Sequence, residues 1–280
     1  MRIPKGGIGF FDSGIGGLTV LAECNKHLQI QREILYYYGD NAHAPYGNLE
    51  IGQMRRYVYK AFEKFRRLNA KAVVIACNTV TALFAEELRA RYPFPIIGTE
   101  PAVFPAAKLD GEIFVLTTRA TFESERLHRL LQRTQEKYAS AQLRPIACDR
   151  LAGEIERHIG DLHYDYAPHL PRGKPTAVVL GCTHYIYIKE YIKTFYGCEV
   201  IDGNAGIARR LLSVLKTTKS ENRDSRPLFS SKKDEPSCKN SENGNKEQVN
   251  PQKSPIFLIG SGKKINAKIL ASGYEQMFVL

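Results

Sequence analysis

The sequence has no run of about 18 consecutive apolar residues, so no membrane-spanning helix is expected. Residues 1–7 lead straight into Ile8-Gly9-Phe10-Phe11-Asp12, too short an apolar stretch for an export signal. A cytoplasmic protein is the expectation. No two cysteines stand in C-x-x-C spacing, and His158, His163 and His169 lack the partners of a zinc site. No metal is therefore expected, and those three histidines read as solvated surface. Helix-turn-helix, zinc-finger and RNA-binding signatures are also missing. The net charge of +11 (40 basic minus 29 acidic residues) thus leaves a nucleic-acid binder as a reading encouraged by charge alone.

What is present is an ordinary globular composition, 43% hydrophobic and 25% charged, in 280 residues, which excludes a wholly disordered chain. That length suits one large domain or two smaller ones. Short apolar runs alternate with helical patterns. Strands are expected at Gly7–Phe11, Glu33–Tyr38, Ala72–Ala76, Ile96–Gly98, Ile113–Thr117, Leu143–Ala147, Thr176–Leu180, Glu199–Ile201 and Ile256–Ile259. Several are apolar throughout, as in strands buried on both faces of a parallel sheet. Ile51, Met54, Val58, Ala61, Phe65 and Leu68 fall on one face of a helix between about Glu50 and Arg67. Alternating β and α elements predict an α/β fold.

An echo runs through the chain. Val73–Thr79 (VVIACNT) resembles Val178–His184 (VVLGCTH), an offset of 105 residues (182 − 77). The apolar strands starting at Ile8 and Ile113 share it (113 − 8 = 105), which suggests two similar halves. Thr217–Pro255 is different: polar, nearly without apolar residues, and expected to be a disordered insertion. Ile265–Leu270 beyond it reads as part of a closing element.

Chemistry concentrates at strand ends. Asp12-Ser13-Gly14-Ile15-Gly16-Gly17 joins the first strand to a helix. Its spacing is neither the dinucleotide fingerprint nor a P-loop, but glycines before a helix N-terminus suit an anion. Cys77 and Cys182 each end a buried strand and precede polar residues able to start a helix. A thiol there can become a thiolate, and open α/β sheets place ligands at those strand ends. Cys24, Cys148, Cys198 and Cys238 lack that context and read as structural or incidental. His184, two residues past Cys182, could polarise the thiol. On its own, a Cys182–His184 pair would equally suggest a cysteine hydrolase.

Taken in order, the blocks Phe11–Val20 (FDSGIGGLTV), Gly39–Gly47 (GDNAHAPYG), Ala76–Thr79 (ACNT), Glu100-Pro101, Thr118–Thr121 (TRAT), Gly181–Tyr185 (GCTHY) and Ile201–Gly203 (IDG) resemble the cofactor-independent aspartate/glutamate racemase superfamily, its glutamate racemases above all. The resemblance implies two pseudo-symmetric α/β domains, each with a mainly parallel sheet flanked by helices, and an active site in the cleft between them. It implies residues 1–98 plus 208–280 for the first domain and 99–207 for the second. It also implies interconversion of L- and D-glutamate by two cysteines without any cofactor, supplying D-glutamate for peptidoglycan. Aspartate or another amino acid is the alternative substrate. Cys77 and Cys182 would be the paired acid/base residues, with Asp12 assisting the first and His184 the second. Glu156, or the nearby Glu154, would be the assisting carboxylate. Asp12, Ser13, Tyr46, Gly47, Asn78, Thr79, Thr183 and His184 would hold the amino acid, with Thr118 and Thr121 as further contacts. A homodimer is implied, with neither nucleic acid nor membrane as partner. Asn41, His43 and Ile186 depart from the residues commoner in the family.

Overall fold

A computed structural model describes residues 3–224, 255–260 and 277–279. The first part of the chain forms β1 (Ile8–Asp12), α1 (Gly17–Cys24), β2 (Leu35–Gly39), α2 (Ile51–Arg67), β3 (Ala72–Ile75), α3 (Asn78–Arg91) and β4 (Ile96–Gly98). Next come α4 (Val103–Ala106), β5 (Gly111–Thr117), α5 (Arg119–Phe122), α6 (Glu125–Lys137), β6 (Ala141–Ala147) and α7 (Leu151–His158). β7 (Ala177–Gly181), a 3-10 helix (Thr183–Ile188), α8 (Lys189–Tyr196), β8 (Glu199–Ile201) and α9 (Asn204–Asp224) follow, then β9 (Ile256–Leu258) and β10 (Met277–Val279).

The strands make two sheets, of order β10-β9-β2-β1-β3-β4 and β6-β5-β7-β8, and every strand pair is parallel. The inner order β2-β1-β3-β4 therefore recurs as β6-β5-β7-β8. The repeat extends to register: Ile8 lies opposite Ala72, and Ile113 opposite Ala177, each pair 64 residues apart (72 − 8 and 177 − 113). Cys77 and Cys182 consequently occupy equivalent places, two residues beyond the register partners Ile75 and Leu180.

Alternate side chains of β1 explain its unbroken apolarity. Ile8 and Phe10 pack with α1 and α9, while Phe11 packs with α2 and α3 on the opposite face. In the second sheet Phe114 and Leu116 face α7 and α8, and Ile113 and Val115 face α4 and the half-buried leucines of α6. Both faces of both sheets are thus covered, the condition under which all-parallel sheets occur.

The expected strands are found with ends shifted by up to two residues. Glu33 differs in kind: it lies outside β2, buried against Lys71 at 2.5 Å. The helix Ile51–Arg67 buries Met54, Val58, Ala61, Phe62 and Phe65 as its spacing requires, but Ile51 in its first turn is 51% exposed. The expected insertion starts too early. Residues 217–224 continue α9, whose buried Ile207, Ala208, Leu211 and Leu215 anchor it on the first sheet. Extending a formed helix costs far less than starting one, so low apolar content alone does not end it. Residues 225–254, and the element expected at Ile265–Leu270, lie outside the described residues. Among the described residues no helix is long and apolar enough to cross a membrane.

Candidate active site

The first half builds its side of the site on β1 and β3. Cys77 follows β3 in extended backbone and caps α3. Its thiol is 5% exposed and donates to Ser13 Oγ at 3.6 Å. Burial pushes the Cys77 thiol up to about 12, and the Asp12 charge adds to the push. The Val80 N–H and the Ser13 hydroxyl pull it down, and nearby Cys182 raises it slightly. Asp12, at the end of β1, is fully buried. It accepts from the Gly14 N–H at 3.0 Å and from the Thr183 hydroxyl of the other half at 3.1 Å. Burial raises its carboxyl above the usual 3.8, against the opposing pull of His184 and the hydrogen bonds.

The second half uses a different device. Cys182 follows β7 and begins the 3-10 helix. His184 Nδ1 lies 3.8 Å from Cys182 Sγ, and its Nε2 lies 2.7 Å from Glu156 Oε1 on α7. Burial disfavours the imidazolium, but the hydrogen bonds and charges of Cys182 and Glu156 outweigh it and hold His184 well above its usual 6.5. Helix geometry separates the two glutamates. Residues two apart point about 200° apart around a helix. Glu154 accordingly turns to Arg157 and to the Tyr164 hydroxyl (3.0 Å), and only Glu156 meets His184.

Hydroxyls from both halves meet between these arms. Thr79 at the start of α3 lies 3.0 Å from Thr118, which caps α5, and Thr121 completes the group at 3.4 Å from Thr79. Tyr46 is buried, and its hydroxyl donates to Asp40 at 2.6 Å. Gly47 passes so near that a side-chain carbon there would stand 3.2 Å from Thr118. Among the described residues no donor reaches the buried Asn78 Oδ1. The residues singled out in the sequence therefore gather after β1, β2, β3, β5 and β7, with Glu156 arriving from α7.

Further side chains brace the site. Asp40 ties Tyr46 to His43, whose Nδ1 lies 2.9 Å from the carboxylate. In the sequence it stands inside the Gly39–Gly47 block, directly after an apolar strand. The tyrosine hydroxyls that hold the glycine loop, described below, gave no sequence signal. His158, His163 and His169, outside the site, lie at the surface with unequal exposure. His163 is exposed as expected, but His158 stacks on Tyr164 at 3.7 Å, and His169 Nε2 lies 3.2 Å from the Tyr164 hydroxyl. Those two rings are half-buried, with the His158 side chain still 34% exposed, so they remain at the surface while packing on a neighbouring ring. Cys24, Cys148 and Cys198 are free thiols, and Cys238 lies outside the described residues. Among the described residues no three His, Cys, Asp or Glu side chains gather as metal ligands.

Two parallel sheets that share strand order and register, each followed by a cysteine at the same strand end, define a class: pseudo-symmetric α/β proteins with a repeated cysteine. The sequence profile of the Asp/Glu/hydantoin racemase family matches residues 16–211, and the chain belongs to that family. It is similar to a glutamate racemase of Clostridium botulinum, 36% identical over 248 residues that cover 84% of this chain and 95% of the relative. Among solved structures, the glutamate racemase isoform RacE1 of Bacillus anthracis superposes with a TM-score of 0.71 at 25% identity, covering 98% of this chain and 96% of that one. The Escherichia coli glutamate racemase, solved with L-glutamate and the activator UDP-MurNAc-Ala, shares the fold with a TM-score of 0.73 at 23% identity, covering 99% and 97%.

Proposed function

We propose that this protein interconverts L- and D-glutamate by two-base proton transfer between Cys77 and Cys182. The observation that carries the reading is the repeat of sheet order and register that sets the two cysteines at equivalent strand ends. A racemase meets both enantiomers, so it needs an acid/base group on each face of the substrate carbon. One thiolate takes the proton from Cα, and the electron pair of the broken C–H bond stays on carbon. The opposite thiol gives its proton to the other face. The cysteines thereby exchange protonation states, and the enzyme is left ready for the reverse direction.

Burial pushes the Cys77 thiol up to about 12, which favours its protonated form at neutral pH. On the other side His184, backed by Glu156, supplies positive charge beside Cys182. The carbanion-like transition state is costly, so fixed donors and exclusion of water must stabilise it. Asp12, Ser13, Tyr46, Gly47, Asn78, Thr79, Thr118, Thr121, Thr183 and His184 hold the substrate in this reading. The unpaired Asn78 Oδ1 suits its ammonium group. No cofactor enters the scheme.

The same reading takes 1–98 with 208–280 as one domain and 99–207 as the other. It places a homodimer in the cytoplasm, where thiols stay reduced, and gives its D-glutamate to peptidoglycan synthesis. Chiral analysis of products from L-glutamate, D-glutamate and L-aspartate tests the proposal. D-glutamate from L-glutamate, and the reverse, is the expected result. Turnover of aspartate without glutamate would overturn the substrate.

A further inference from the structure

The segment carrying His184 is fastened to the opposite half at two points, one on either side of the histidine. Thr183 donates to Asp12 at 3.1 Å, and Tyr187 donates to the Ile15 carbonyl at 2.9 Å. From the first half, buried Tyr37 of β2 donates to the Gly14 carbonyl at 2.8 Å. Consecutive carbonyls of the glycine loop thus receive hydroxyls from opposite halves of the molecule. The loop is also in direct contact with the catalytic arm. A side-chain carbon at Gly14 would stand 2.5 Å from Glu156 Oε1 and 3.2 Å from His184 Nε2. A side-chain carbon at Gly16 would meet Thr183 Oγ1 at 2.4 Å. The loop therefore lies against the His184–Glu156 pair, with no room for a side chain between them.

The half-buried ring of Tyr187 packs on the cores of both halves, so its hydroxyl is delivered to Ile15 from a fixed base. We propose that Tyr187 is a positioning residue for racemisation: its bond to the Ile15 carbonyl fixes the glycine loop against the His184–Glu156 pair and so sets the Cys182 arm on the substrate carbon. This rests on the racemase reading above. Tyr187 needs no contact with substrate to act in this way. Proton transfer depends steeply on alignment, and a misplacement of about 1 Å costs on the order of 10²-fold in rate.

Tyr187→Phe keeps the ring and its packing and removes only the hydroxyl. Tyr196→Phe is the matched control, because Tyr196 donates to the Pro171 carbonyl at 2.6 Å within the second half. Tyr187→Phe is expected to lower kcat about tenfold, a fraction of the full misalignment cost, with KM within about twofold. Its Tm should fall no further than that of Tyr196→Phe, which should keep wild-type kcat. A wild-type kcat in Tyr187→Phe, an equal kcat loss in Tyr196→Phe, or a rise in KM alone would overturn the proposal. The His184 imidazole titration, followed by NMR, reads the same contact without turnover. Loosening the Glu156 bond should lower the His184 midpoint in Tyr187→Phe and leave it in place in Tyr196→Phe. An unmoved midpoint in Tyr187→Phe contradicts the positioning role even if the wild-type protein racemises no amino acid, the outcome that would sink the racemase reading itself.

Discussion

The two halves share strand order and register, yet they support their cysteines by different means. Cys77 caps a 14-residue α-helix and leans on fixed dipoles, the Val80 N–H and the Ser13 hydroxyl. Cys182 begins a six-residue 3-10 helix and leans instead on an ionisable pair, His184 with Glu156. A repeated backbone thus reproduces where a sulfur sits, while the chemistry around it diverges. For a racemase that division is workable, because symmetry is demanded of the positions of two proton carriers and not of their surroundings. Thermodynamics adds one constraint. Mirror-image substrates have equal free energy, so kcat/KM must match in both directions whatever the asymmetry of the site.

The harshest way to break the comparison is to remove each sulfur in turn. Cys77→Ala and Cys182→Ala should each lower racemisation on the order of 10³-fold or more, the scale of lost general acid–base catalysis. A Cys77→Ala protein that still turned over would favour the hydrolase reading of Cys182–His184.

Glu156→Gln comes next, with kcat expected to fall by roughly 10–100-fold and Glu154→Gln near wild type. The charge on Glu156 helps hold His184 above 6.5, so this substitution should also lower the His184 midpoint. Folded His184 binds its proton more tightly than unfolded His184. The stability this contributes is full below pH 6.5 and is lost as pH rises through the higher folded value. Glu156→Gln should move the upper edge of that window downward, as Tm measured against pH will report.

The mildest test addresses the Cys77 side. Ser13→Ala removes one hydrogen bond that lowers the Cys77 thiol, so the thiol should become harder to ionise. Losing one such bond, worth about 1 kcal/mol, predicts a loss of kcat/KM of about five-fold. The loss should be the same from L- and D-glutamate. Unequal losses would mean that some step other than interconversion of the two enantiomers was being followed.

Sequence carried much of this architecture because burial on both faces writes itself as unbroken apolar runs, as at Val178–Leu180. The cysteine pair was readable because a doubled fold imposes one offset, 105 residues, on strands and thiols alike. Local patterns failed where the answer lay across the molecule. Nothing near Glu154 and Glu156 told which would face His184, since that depends on how α7 is rotated against the 3-10 helix. Tyr187 reads as one more aromatic in an apolar segment until its hydroxyl is found on a carbonyl 172 residues away. After Thr217 the composition turns polar, yet α9 runs on to Asp224, because a helix already anchored upstream does not stop where apolar residues do.

Solvent deuterium tests the two-base claim most directly. L-glutamate is incubated with the enzyme in D2O, and both enantiomers are separated and weighed while conversion is still small. Two opposed cysteines predict D-glutamate carrying deuterium at Cα, with the remaining L-glutamate still protiated. D-glutamate that retained the original hydrogen, or recovered L-glutamate labelled as heavily as the product, would contradict the account.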